Sequence, residues 1–174
     1  MLCSKYGLEW KYMIKCIVAI EGSGGIGYCG HMPWPKLSRD MKWFRELTTG
    51  GVVVMGSKTW ASIGKLLPGR INVVISSRIV AGANLTYDDP IVALADLGER
   101  FVGRDIYVIG GSQLYDSVMS LVQEFYVTHI SRDYVCDRFF DIDKVRGMCY
   151  SEEVLHYASS GECPEYSMVK YVVE

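Results

Sequence analysis

GVVVMGSKTWASIGKLLPGRINVVISS, Gly51 to Ser77, holds two apolar runs, VVVM and INVVI, separated by the segment KTWASI and the stretch GKLLPGR. Runs this short and this rich in β-branched residues read as buried strands, and KTWASI between them as a short helix. Strand, helix and strand in succession are the unit of a parallel sheet with covering helices. The pattern repeats on both sides of this stretch. Upstream, MIKCIVAI precedes LSRDMKWFREL; downstream, INVVISS precedes PIVALADLGERF, and DIYVIGG precedes SQLYDSVMSLV. The end of the chain changes character. EFYVTHIS leads into the polar loop RDYVCDRFFDID, and then VLHYA and YSMVKYVV flank SSGECPE, two strands around a Gly and Pro turn. The expected fold is therefore α/β, a single domain. Its mixed, mostly parallel central sheet has about eight strands, with flanking helices and a C-terminal antiparallel hairpin.

The bulk properties narrow the function. At 174 residues the chain suits one domain, residues 13–174, preceded by an extension, residues 1–12, expected to be peripheral. A formal charge of -2 supplies no basic field for nucleic acid or an anionic membrane, so any anion must be held locally. The six cysteines form no C-x-x-C pair, which argues against zinc and against a redox motif. No metal is expected, and the thiols read as reduced in a cytoplasmic compartment. No apolar run approaches the roughly 20 residues that span a bilayer. MLCSKYGLEWKY lacks the apolar segment of a secretory signal. A monomer is expected.

Two glycine motifs compete for a phosphate-binding role. GSGGIG, residues 22–27, fits the dinucleotide fingerprint G-x-G-x-x-G. That fingerprint must open a helix, and here YCGHMPWP follows, with Gly30, Pro33 and Pro35. The match is accidental. In DIYVIGGSQLYDSVM a strand instead runs into Gly110 and Gly111 and then into a helix that Ser112 can cap. Backbone approaches a phosphate closely only where no side chain intervenes, and a helix start adds oriented amides. Two further strand ends carry similar equipment: Gly56 with Ser57, Lys58 and Thr59, and Ser76 with Ser77 and Arg78. Singly, each reads as a turn, a cap or a solvated charge. Parallel strands bring all three ends to one sheet edge, which favours binding. Lys58 and Arg78 supply charge suited to the 2′-phosphate of NADP.

In KLSRDMKWFRELT, the residues Leu37, Asp40, Met41, Phe44 and Thr48 fall on one helix face. Asp40 interrupts this apolar stripe. With Ser38 as N-cap, the carboxylate could simply favour the helix dipole. Alternatively, a carboxylate on a buried stripe is costly unless it meets a donor-rich partner, and an amidine-like edge would satisfy it in bidentate fashion. Phe44 would then offer a ring for stacking, or serve as plain core.

MPWPKLSRDMKWF, VVVMGSKTWASIGKLLPGRINVVISS, YVIGGSQLY and FYVTHI, in this order and at this spacing, resemble the dihydrofolate reductase family from about Met13 to the hairpin. The resemblance implies hydride transfer from C4 of NADPH to C6 of dihydrofolate, with N5 gaining a proton by way of water. It implies that Asp40 binds N3 and the 2-amino group of the pterin, with Trp34 beside it and Thr128 joined to it by hydrogen bonding. Phe44, Ile63 and Leu67 match the walls of the pterin and aminobenzoyl pocket. Ile17, Ala19 and Ile109 match strand positions around pterin and nicotinamide, and Arg70 matches the arginine that clamps the glutamate α-carboxylate. The implied cofactor set is Ala19, Ile26, Gly27, Gly56, Ser57, Lys58, Thr59, Ser76, Ser77, Arg78 and Ile109 to Tyr115, that is Ile109, Gly110, Gly111, Ser112, Gln113, Leu114 and Tyr115. GSGGIGYCGHMPWP matches a mobile loop that closes over the reacting rings, its glycines giving freedom to move. His31, His129 and His156 read as structural or exposed, and burial is expected to raise the Asp40 pKa. Two rivals share parts of this reading: a riboflavin-pathway reductase acting on a pyrimidine, and a non-catalytic NADP- or folate-binding module.

Overall fold

The computed structural model describes residues 12–157 and 164–173. Its elements, in chain order, are β1 (Ile14–Glu21), β2 (Gly25–Gly27), α1 (Ser38–Thr48), β3 (Val52–Gly56), α2 (Ser57–Ile63), β4 (Ile71–Ile75), β5 (Leu85–Tyr87), α3 (Pro90–Arg100), β6 (Ile106–Val108), α4 (Ser112–Val118), β7 (Glu124–Ile130), β8 (Arg138–Phe139), α5 (Ile142–Met148), β9 (Cys149–Tyr157) and β10 (Tyr166–Val173). Eight strands form one sheet in the order β5-β4-β3-β6-β1-β7-β10-β9. Every pair from β5 to β7 is parallel, and β10 runs antiparallel to both β7 and β9. The fold is thus the mixed, mostly parallel α/β sheet expected. The bend of the hairpin, residues 158–163, and the extension up to residue 11 lie outside the described residues.

Burial explains why the central strands were readable. Val52 to Met55 and Ile106 to Val108 are buried at every position, because helices cover both faces of a parallel sheet. One face packs beneath α3, α4 and α5, with Leu94, Leu97, Leu114, Val118 and Val145 in its core. Each fully buried aliphatic side chain contributes on the order of 2 kcal/mol. The other face, with Ile17, Val53, Met55, Val74, Tyr107 and Tyr126, receives Phe44 and Leu47 of α1 and Ile63 of α2. α3 starts where the sequence says it should: Pro90 occupies its first turn and the Asp89 carboxylate accepts from the amides of Ile91 and Val92. Tyr12, assigned to the extension by sequence, packs onto this helix and donates its hydroxyl to the Leu94 carbonyl at 2.9 Å. No helix among the described residues is long and apolar enough to cross a membrane.

Several elements depart from the sequence reading. Ser38 and Ser112 do not cap their helices: each is the first helical residue, preceded by Leu37 and Gly111, and neither start has a side-chain cap. β5 is a three-residue edge strand of half-buried residues, too short for its pattern to register. The stretch read as a polar loop contains β8, which pairs with β2 in a separate two-stranded sheet, and it runs into α5, capped by Asp141 through the Lys144 amide. β9 is longer than VLHYA, beginning at Cys149.

Candidate active site

α1 lies across the sheet with Asp40 in its first turn. The Thr128 hydroxyl, projecting from β7, donates to Asp40 Oδ1 at 2.6 Å. Thr128 pairs with Ala19 on β1, so both side chains rise from one row of the sheet beneath the carboxylate. Burial pushes the Asp40 carboxyl above its ordinary pKa, and the Thr128 hydroxyl pulls partly against it. Trp34 is buried with Leu37, Ile130, Tyr166 and Met168, and its ring meets Tyr134 edge-on at 6.0 Å.

A cavity of about 390 Å³ opens here, lined by His31, Met32, Trp34, Lys36, Leu37, Asp40, Met41 and Ser62. Asp40 is the one carboxylate in that lining. Met41, placed on the buried stripe by spacing, is 40% exposed, because this part of α1 overhangs an open cleft instead of the sheet. His31, in the loop expected to close over the site, is exposed and belongs to the cleft wall. His129 is half-buried against the Tyr171 hydroxyl at 2.9 Å, its pKa pushed down to about 4 by burial and by the charge of Arg146. His156 lies half-buried on β9, with Tyr166 as its ring neighbour. Phe44, Ile63, Leu67 and Ile109 pack around Ile17 on the same face of the sheet.

Arg70 is 8% exposed and held on three sides. Its Nε donates to the Pro68 carbonyl at 3.0 Å and Nη1 to Thr48 Oγ1 at 2.9 Å, while the guanidinium lies over the Phe44 ring at 5.8 Å. Thr48 Oγ1 in turn donates to the Phe44 carbonyl at 2.7 Å, which leaves its lone pairs for Arg70. Two of the five guanidinium N–H groups are thereby used, and a planar fork remains for an anion.

At the neighbouring strand ends the backbone closes into a cradle. The Gly56 amide donates to the Gly110 carbonyl at 2.7 Å. A Cβ at Gly111 would stand 3.6 Å from Thr59 Oγ1, and one at Gly56 3.8 Å from the Gly111 amide nitrogen. The starts of α2 and α4 thus come together with no side-chain cap on either. Gly110 has φ +114, and the peptide joining it to Gly111 is cis. Ser57, Lys58, Ser77, Arg78 and Gln113 are exposed around this edge, with Thr59, Ser76 and Ser112 half-buried. Leu114 and Tyr115 turn into the core, and the Tyr115 hydroxyl donates to the Ile17 carbonyl at 2.7 Å. They support the cradle from beneath.

In the loop after β1 the glycines serve close approach of neighbouring groups. Gly24 has φ +86, and a Cβ there would come within 2.7 Å of the Phe140 carbonyl oxygen. A Cβ at Gly25 would stand 2.4 Å from Cys136 Sγ and 2.6 Å from Glu21 Oε1. Glu21, 2% exposed at the end of β1, accepts from the Gly25 amide at 2.7 Å, the Ser23 amide at 3.1 Å and the Ser23 hydroxyl. Burial pushes the Glu21 pKa up, but these donors outweigh it and hold the carboxyl below its ordinary value. The Phe140 amide donates to the Gly24 carbonyl and the Asp137 amide to the Gly27 carbonyl, so residues 136–140 clasp the loop. Ile26 packs against the main core, and Gly27 is half-buried.

An open α/β sheet with a carboxylate-bearing helix over one face, and a glycine cradle at the ends of its parallel strands, defines a single-domain α/β protein with a cleft at its strand ends. Comparison with known proteins resolves the class. A family described as dihydrofolate reductase matches residues 13–172. The chain is 30% identical over 148 residues to a protein named dihydrofolate reductase type 9 of Escherichia coli, covering 81% of this chain and 83% of that one. It is 36% identical to the dihydrofolate reductase of Buchnera aphidicola subsp. Acyrthosiphon pisum, over 73% of this chain and 78% of the relative. With the dihydrofolate reductase of Haemophilus influenzae it shares 35%, over 71% and 76%. The chain belongs to the dihydrofolate reductase family.

Proposed function

We propose that this protein reduces 7,8-dihydrofolate to tetrahydrofolate with NADPH, using Asp40 to hold the pterin. The observation that carries the reading is the single cleft carboxylate, anchored by Thr128 at 2.6 Å and raised in pKa by burial. A pterin presents N3–H and a 2-amino group as a flat pair of donors, which match one carboxylate in bidentate fashion and favour its anion. The Thr128 hydroxyl fixes the rotation of the carboxylate. Phe44 and Ile63 wall the substrate, and the free edge of Arg70 suits a carboxylate at the far end of its tail.

The strand-end cradle fits a dinucleotide phosphate. Its floor is backbone, a Cβ at Gly111 would narrow it toward Thr59, and the two helix starts beside it have no side-chain cap. Lys58 and Arg78, exposed beside it, suit a 2′-phosphate. When bound, NADPH supplies the hydride from C4 of its nicotinamide. The chain's own task is positioning, with reacting carbons about 3–3.5 Å apart, while Met32 and His31 of the loop wall the cleft against water.

The test is NADPH oxidation by the purified protein with dihydrofolate, run beside Asp40→Asn. Turnover by the parent that falls about 100-fold or more in the variant, with NADPH affinity retained, is the expected result. Turnover unchanged by the substitution would overturn it. The same variant carries a stability signature. A carboxyl whose pKa rises on folding contributes stability that is fully present below its unfolded pKa and lost as pH rises through the folded one. Asp40→Asn is therefore expected to raise the thermal midpoint of the ligand-free protein at neutral pH.

A further inference from the structure

Asn72, the second residue of β4, is 1% exposed and has no place in the cleft lining, yet it is among the most fully hydrogen-bonded side chains of the fold. Its Oδ1 accepts from the Leu67 amide at 2.9 Å. Its Nδ2 donates to the carbonyls of Leu67 and Arg70, at 3.0 Å each. Its own amide donates to Asn84 Oδ1 at 2.7 Å, and its carbonyl accepts from the Asn84 amide at 3.0 Å. The bonds from the side chain close the segment from Leu67 to Asn72 on itself. A buried amide with both donors and its oxygen engaged specifies one geometry, whereas an apolar side chain of similar size would only fill the space.

What that geometry controls is Arg70. The guanidinium takes its orientation from the Pro68 carbonyl and from Thr48 Oγ1. Thr48 is fixed by α1, but Pro68 lies between the two residues that Asn72 grips. Gly69, at φ +71, reverses the chain between them. If the Leu67 end slips, the Pro68 carbonyl leaves Nε and the guanidinium loses one of the two bonds that orient it.

We infer that Asn72 is a positioning residue for carboxylate recognition: it sets the affinity for substrates that carry an anionic tail by fixing Arg70, without touching the substrate. The inference rests on the reading of Arg70 as the carboxylate-binding group. It is tested by measuring KM and kcat of the parent, Asn72→Ala, Arg70→Leu and the double variant with two substrates. These are dihydrofolate and a 6-methyl-dihydropterin that lacks the aminobenzoylglutamate tail. Asn72→Ala is expected to raise KM for dihydrofolate about tenfold, to leave KM for the tail-less pterin within about twofold, and to add nothing to Arg70→Leu. Thermal unfolding confirms folding, and Asn72→Ser, uncharged and with one donor in place of two, replaces the alanine variant if that one does not fold. An equal rise in KM for both substrates, or losses that add to those of Arg70→Leu, would mean a general structural role and overturn the inference. If Arg70→Leu is selective for the tailed substrate and the Asn72 variants are not, the inference fails while the clamp stands. If Arg70→Leu is itself unselective, both fall together.

Discussion

Two glycine-rich turns follow strands of the same parallel sheet, and they use their missing side chains differently. At Gly24 and Gly25 the vacated space is taken by the chain itself, by the Phe140 carbonyl and by Cys136 and Glu21. At Gly110 and Gly111 the side toward the core is filled by Tyr115, and the backbone on the other side meets Gly56 and Thr59. The first is a clasp and the second a cradle. A glycine fingerprint therefore reports that something approaches the backbone closely, and the sequence that follows decides what. Proline-stiffened chain after Gly27 cannot form a helix start, whereas α4 begins directly at Ser112.

The contrast is broken most severely if Gly110→Ala is tolerated. A Cβ at φ +114 is strained and would stand 3.1 Å from the Tyr115 hydroxyl, at the floor of the cradle. NADPH affinity and turnover are expected to fall about 100-fold, read by fluorescence titration and NADPH oxidation. Gly25→Ala should act on the clasp instead. Its Cβ overlaps Cys136 Sγ and Glu21 Oε1, so a loss of about 1–3 kcal/mol in unfolding free energy is expected, with NADPH affinity nearly kept. Pairing it with Cys136→Gly should recover part of that loss, and a purely additive double variant would show that the contact is not the cause. Glu21→Gln is the mildest probe, expected to cost about 1–2 kcal/mol at neutral pH, since charge-assisted bonds from the Ser23 and Gly25 donors are weakened. A carboxyl depressed on folding contributes stability that is present above its unfolded pKa and lost as pH falls through the folded one. The gap between Glu21→Gln and the parent, measured by denaturant unfolding, should accordingly close on acidification below the ordinary glutamate value of 4.5.

The parallel core was legible because strands buried on both faces are dominated by apolar, β-branched residues, as VVVMG and, apart from Asn72, INVVI are. Leu85–Tyr87 and the pairing of Gly25–Gly27 with Arg138–Phe139 were not, since such short pieces make their bonds through backbone and carry no side-chain period. Asp40 stood out because a carboxylate is costly on an apolar stripe. Met41 on the same stripe was misread for a related reason: periodicity marks the face that avoids bulk water, and a cleft wall satisfies it as well as a core does. His31 sits in a loop without period, so spacing alone does not place it on the cleft wall. Asn72 looked like one more residue of a buried strand, and its role rests on partners that no spacing announces.

The order of strands in the sheet has a kinetic consequence. β1 is flanked by β6 and β7, so this strand finds its neighbours only after residues 106–108 and 124–130 exist. At translation speeds of about 5–20 residues per second, roughly ten seconds separate the emergence of β1 from that of β7. Asp40 waits as long for Thr128, 88 residues downstream. Pairings so remote in sequence slow folding, because loop closure comes before the contacts that reward it. The pairing of Asp40 with Thr128 is then completed late in synthesis, and an apolar strand must be shielded until it is.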